Sequence, residues 1–206
     1  MRLTLHTFLT LDGVMQSPGG PNEDPDGPFA HGGWSFPYAD DAFGALMVGW
    51  FEQADAFLLG RKTYQIFSGY WPKVTDENDP IASKLNSLPK YVASTTLDRV
   101  EWNGSTLLGS DVVGEVAKLK EEPGRELQIH GSGALAGALI DADLVDEYRL
   151  LYFPVHLGEG KKLFRDGTRP GALRLVTTTT TPAGVVAATY RPDGSPRYGS
   201  YELDEG

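Results

Sequence analysis

The 206-residue chain has no cysteine, which excludes disulfides, thiolate metal sites and a thiol nucleophile together. Basic residues are scarce: 18 Lys and Arg stand against 28 Asp and Glu, a formal net charge of -10. Nucleic acids and anionic membrane surfaces both call for clustered cations, so both are disfavoured as partners. No run of roughly eighteen apolar residues occurs, and the opening MRLTLHTFLTLDG is too polar for a signal peptide, so the expectation is a cytoplasmic protein. The four histidines are scattered without HExxH or paired spacing, and no G-x-S-x-G elbow is present. What remains, 40% hydrophobic and 22% charged residues, is the composition of one globular domain with a full core, spanning 1–206.

Residues 2–11 alternate loosely and predict a first strand. Residues 13–38 hold six glycines and five prolines and predict one long loop. In ADDAFGALMVGWFEQ, Phe43, Leu46, Met47, Trp50 and Phe51 form the stripe of a helix packed on a core, with Asp40 and Asp41 at its start. DAFLLG is a short buried strand ending at Gly60, and RKTYQIFSGYW the helix after it. KYVAST and STLLG predict two more strands, DVVGEVAKLKEE a helix opened by Asp111, and RELQIHG a fifth strand. Strands alternating with helices imply an α/β sheet with parallel stretches. After residue 144 the pattern changes: LVDEYRLLYFPV is a long strand, and residues 172–192 form two β-rich runs meeting at Pro182-Ala183-Gly184, an antiparallel hairpin. Thr177 to Thr181 suit a half-exposed edge strand, and the tail 193–206 is either a further strand or loose.

Three strand ends carry turns suited to an anion. Gly131-Ser132-Gly133 precedes a helix and leaves backbone N–H groups accessible to a phosphate. Arg61 and Lys62 stand at the start of a helix, where their charge opposes the dipole unless an anion offsets it. Ser94, Thr95 and Thr96 supply hydroxyls just past a strand. Each has a plainer explanation, as a tight turn, a solvated charge or a cap; the functional reading needs all three to converge at the carboxyl edge of one sheet. A Rossmann site is excluded, because its glycines should follow the first strand and be trailed by an acid on the next.

In the order and spacing of TLDGVMQ (10–16), LLGRKTYQ (58–65), KYVAST (90–95), IHGSGALAGALIDADLVDEYRL (129–150) and FPVHLGEGKKLF (153–164), the chain resembles the dihydrofolate reductase-like superfamily. Within it, the similarity is to the bacterial group related to the reductase domain of the bifunctional riboflavin-biosynthesis deaminase-reductase. The resemblance implies an α/β three-layer fold with a central mixed sheet of about eight strands flanked by helices, a homodimer, and NADPH lying across the strand ends. It implies cofactor contacts from Gly60, Arg61, Lys62, Thr63, Ser94, Thr95, Gly131, Ser132, Gly133 and Ala134, with Arg61 at the ribose phosphate and Thr63 at the pyrophosphate. Hydride would pass to a small, heterocyclic substrate resembling a pteridine or riboflavin precursor.

One departure bears on activity. Folate reductases place a carboxylate on the first helix, whereas aligning Trp50-Phe51 with their aromatic pair puts Met47 at that position. Asp12 is then the candidate for contact with the substrate or its proton, with a turn residue as the equal alternative. His31, Trp34, Phe36 and Tyr38, together with Phe29, close the long loop and are expected either to cover a planar substrate or to bury in a partner subunit. NEDPDG begins like a calcium loop, but Pro25 interrupts it and Gly33 stands where the bidentate Glu belongs, so no metal is expected. The alternative to an enzyme is a nucleotide-binding sensor or partner protein without turnover.

Overall fold

The computed structural model describes residues 1–76 and 78–201. Along the chain run β1 (Arg2–Thr10), α1 (Asp41–Glu52), β2 (Ala54–Gly60), α2 (Arg61–Tyr70), α3 (Pro80–Ser87), β3 (Lys90–Ala93), β4 (Ser105–Leu107), α4 (Val112–Glu121), β5 (Glu126–His130), α5 (Gly133–Asp141), β6 (Glu147–Phe153), β7 (Leu173–Thr180) and β8 (Val186–Pro192). Short 3-10 turns at Phe36–Tyr38 and Trp71–Lys73 precede α1 and follow α2. The eight strands form one sheet in the order β4-β3-β2-β5-β1-β6-β8-β7. Neighbours from β4 through β6 are parallel, and β8 and β7 add antiparallel at the far edge.

Each face of the sheet carries its own core. Leu3, Leu5, Leu127, Ile129 and Leu150 pack with Leu135, Ala136 and Leu139 of α5 on one side. Phe57, Leu59, Leu151 and Phe153 pack with Met47 and Phe51 of α1 on the other. Central strand β5 is buried along its whole length, as expected of a parallel strand covered on both faces. Its α1-facing residues are nevertheless polar: Glu126, Gln128 and His130 alternate with Leu127 and Ile129. The charge is balanced locally, Arg149 reaching Glu126 at 2.6 Å and Glu147 at 2.9 Å, with Arg2 and Arg191 closing on the same two carboxylates. Paired this way, buried charges offset much of their own desolvation and add little net stability.

Helix α3 has no counterpart among the sequence expectations. Only eight residues long, it buries just Ala82 and Leu85, so its apolar stripe is short, although Asp79 followed by Pro80 is a strong start signal. The hairpin β7–β8 and its exposed edge strand match the reading of the threonine run. The tail forms no strand over 193–201; residues 202–206 lie outside the described residues.

Candidate functional site

Strands β2, β3 and β5 run parallel, with Gly60 opposite Ala93 and Leu58 opposite Ile129, so the turns that follow them open on the same edge of the sheet. Two of these turns are bonded to each other. The Gly60 N–H donates to Ser132 Oγ at 3.0 Å, the Ser132 N–H donates to Thr63 Oγ1 at 3.2 Å, and Ser132 Oγ donates to the His130 carbonyl at 3.0 Å. Ser132 is left-handed, with φ 53° and ψ 44°, a conformation that costs a non-glycine residue about 1–2 kcal/mol. Its three hydrogen bonds offset that cost, and Gly131, at φ 56°, makes the same left-handed turn without a Cβ. At Gly133 a Cβ would lie 2.9 Å from Met15 Sδ, so a larger residue there would have to displace the end of the Met15 side chain.

Helix capping separates this edge from the rest of the molecule. Asp40, Asp79 and Asp111 accept first-turn N–H bonds at the starts of α1, α3 and α4, whereas α2 and α5 begin at Gly60 and Ser132 with no side-chain cap. The first-turn N–H groups and positive dipole ends of these two helices are therefore not met by a capping side chain, an arrangement that would suit an anion. Arg61, half-buried on the first turn of α2, donates to Gln65 Oε1 at 3.3 Å and forms no ion pair among the described residues. Ser94 follows β3; its Oγ accepts the N–H groups of Thr96 and Leu97 at 3.1 and 3.0 Å, which leaves its own hydroxyl hydrogen free to donate. Thr95 and Ala134 are exposed beside these turns. A cleft of about 330 Å³ lies between Arg61, Lys62, Gln65 and Ile66 and the loop residues Glu23 to Asp26. A groove of about 1020 Å³ runs on the other side of Gln65, along Tyr64, Ser68 and the segment Thr96 to Asn103.

Several candidates stand differently from the sequence reading. Lys62, expected beside phosphates, pairs with Asp24 at 3.1 Å and with Asp26, and Lys161 pairs with the same two carboxylates. Asp12 accepts hydrogen bonds from Thr10 Oγ1 at 2.5 Å and from the Leu157 and Gly158 N–H groups. Desolvation alone would raise its carboxyl, but these bonds together outweigh it and draw the group down to about 2, so it is a turn anchor rather than a proton donor. Two of the loop aromatics take a destination that neither sequence alternative included. Trp34 is buried, donating its indole N–H to the Gln16 carbonyl at 2.7 Å, and both Trp34 and Tyr38 pack on Phe153 of β6, at 5.3 and 6.1 Å between ring centres. Met47 likewise lies in the core under α1. Phe36 stays 79% exposed, and His31 faces Glu159 at 3.9 Å near the surface.

The sequence reading missed a histidine pair next to the glycine turn. His6 and His130 occupy opposed positions on β1 and β5, stacked at 4.7 Å, with Phe51 stacked on His130 at 4.5 Å. Gln128 sets the tautomer of His130. Its amide nitrogen donates to Glu126 Oε2 and the Trp50 carbonyl, so its oxygen faces His130 Nε2, which must carry the proton. Burial, then nearby Arg149, lowers His130 to about 3; burial, then His130 and Arg149, lowers His6 as well, so both rings are neutral at physiological pH. His6 Nδ1 is buried without a partner. The alternation Glu126, Gln128, His130 was the available signal, legible as a polar face on a strand with an apolar one.

Known proteins bear on this arrangement. A model of the RibD C-terminal domain family matches residues 2–187. The uncharacterised Bacillus subtilis (strain 168) protein YyaP is 33% identical over 198 residues, covering 94% of this chain and 96% of its own. Among solved structures, a putative riboflavin biosynthesis protein from Shewanella sp. PV-4 superposes with a TM-score of 0.66 at 22% identity, over 94% of this chain and 99% of that one. Dihydrofolate reductase from Enterococcus faecalis, solved with NADP(H) and RAB-propyl, superposes with a TM-score of 0.57 at 15% identity, over 93% and 96%. At these identities the two structures establish a shared dihydrofolate reductase-like fold.

Proposed function

The chain belongs to the RibD C-terminal domain family, and on that footing we propose that it is an NADPH-dependent oxidoreductase acting on a small heterocyclic compound, of pteridine or riboflavin-precursor type. The observation that carries the reading is the bonded pair of turns after β2 and β5, Gly60 to Ser132 and Ser132 to Thr63, at the two helix starts that lack a side-chain cap. Phosphate oxygens fit there, accepting from first-turn N–H groups of α2 and α5 and from the hydroxyl of Thr63. Arg61 and the Ser94 hydroxyl hold the extra ribose phosphate, which makes NADPH rather than NADH the cofactor. Gly131 to Ala134 line the pyrophosphate and the nicotinamide ribose. When bound, NADPH supplies the hydride; the protein's part is to orient the two rings and exclude water. His130, fixed as the Nε2-protonated tautomer, borders that edge. The protein works as a cytoplasmic homodimer.

A nucleotide-binding role without turnover is the second reading, favoured by the absence of an acid between Asp41 and Glu52 on α1. NADPH absorbance followed against a panel of pterins, flavin precursors, quinones and enones decides between them. Oxidation with at least one heterocycle is expected; binding with no oxidation across the panel establishes the second reading, and no binding removes both.

A further inference from the structure

Lys62 sits on the first turn of α2, where a cation opposes the helix dipole, and its charge is met by loop residues Asp24 and Asp26, more than thirty positions earlier. Lys161, from the segment after β6, meets Asp24 at 2.5 Å and Asp26 at 3.0 Å. Each carboxylate thus touches two ammonium groups. The loop is held in this place by its backbone as well: Gln16 Nε2 donates to the Asp24 and Asp26 carbonyls at 3.0 and 2.9 Å, Gln16 Oε1 accepts from the Lys161 N–H at 3.1 Å, and Ser17 Oγ bridges the Asp24 N–H and carbonyl. Asp24 and Asp26 form the wall of the 330 Å³ cleft that faces Arg61 and Lys62.

Resting on the cofactor reading above, we propose that Asp24 and Asp26 set phosphate selectivity by competing with the cofactor's ribose phosphate for Lys62. The carboxylates occupy on Lys62 the place an anion at the α2 start would take. Exchange still leaves both carboxylates in contact with Lys161 when Lys62 turns to phosphate, so neither loses its last cation, although one ammonium then serves two carboxylates. Cofactor entry is therefore coupled to loosening of the loop that carries them, and discrimination between NADPH and NADH is held below what Arg61 and Lys62 together could give.

Calorimetric titration of NADPH and NADH into the full-length protein and its variants tests this. Asp24→Asn with Asp26→Asn should tighten NADPH by about tenfold and NADH much less. Adding Lys62→Met to that pair should abolish the gain, whereas in the native background it should cost little. Lys161→Met should act in the opposite direction, weakening NADPH, because the carboxylates then depend on Lys62 alone; a merely structural role for the quartet predicts no such reversal. Thermal melting confirms that each variant is folded. If native protein binds NADPH and the double Asn variant binds it no better, or if Lys62→Met weakens NADPH equally in both backgrounds, the competition is disproved while the reductase reading stands. If neither the native protein nor the double variant binds NADPH, the reductase reading falls, and this inference with it.

Discussion

Asp12 illustrates how far a residue's role depends on atoms that are remote in the chain. The tripeptide Leu11-Asp12-Gly13 permits either a turn or a substrate contact, and the partners that decide between them, Leu157 and Gly158, lie about 145 positions away. With its carboxyl pulled from 3.8 to about 2, Asp12 contributes stability that is fully present above about pH 4 and is lost as pH falls toward 2. Asp12→Ala should release the 155–158 segment from the end of β1 and lower stability by about 1–2 kcal/mol in urea unfolding at pH 7. The pH profile of NADPH oxidation between pH 5 and 9 should keep its shape. A lost acidic limb in that profile would return Asp12 to a proton-transfer role. The loop aromatics were similarly underdetermined: exposed Trp34 and Tyr38 are costly anywhere, but their spacing does not say that Phe153 is the surface they cover.

At the scale of elements, periodicity served well where a stripe was long. Helix α1 shows this, and turn chemistry at Asp40, Asp111 and Gly131 marked the starts of α1, α4 and α5. It failed at α3, whose eight residues are held by something no local pattern reveals. Lys90, the first residue of β3, is fully buried, and its ammonium donates to the Leu85 and Leu88 carbonyls at 2.7 Å each, beneath the Trp102 ring at 4.6 Å. These are carbonyls at the end of α3, which a cation caps favourably. Burial lowers this lysine from 10.5 to about 8. Between those two values the unfolded chain binds more protons than the folded one, so this group makes stability rise with pH over that window. The neutral amine still has two N–H donors for its two carbonyls. Thermal unfolding of the native protein and of Lys90→Met, compared from pH 7 to 10.5, should show a native advantage that widens above pH 8. An advantage that is constant or narrows would mean that the ammonium is solvated in the fold.

For the whole molecule, alternating strands and helices already implied a sheet with parallel stretches, but the order β4-β3-β2-β5-β1-β6-β8-β7 depends on long-range pairing that no single segment encodes. That order is what brings the turns after β2, β3 and β5 to one edge, where two helix starts without a side-chain cap and Arg61 stand in a chain of net charge -10. A molecule this acidic repels an anionic nucleotide at long range, so the proposed binding has to rest on specific donors at short range. The most direct measurement is the dissociation constant of NADPH and of NADH for the native protein and for Arg61→Ala. The native protein should prefer NADPH, and Arg61→Ala should weaken NADPH by roughly ten- to a hundredfold while changing NADH only slightly. Equal weakening of both nucleotides, or no binding of either, would contradict a site built to grip the ribose phosphate.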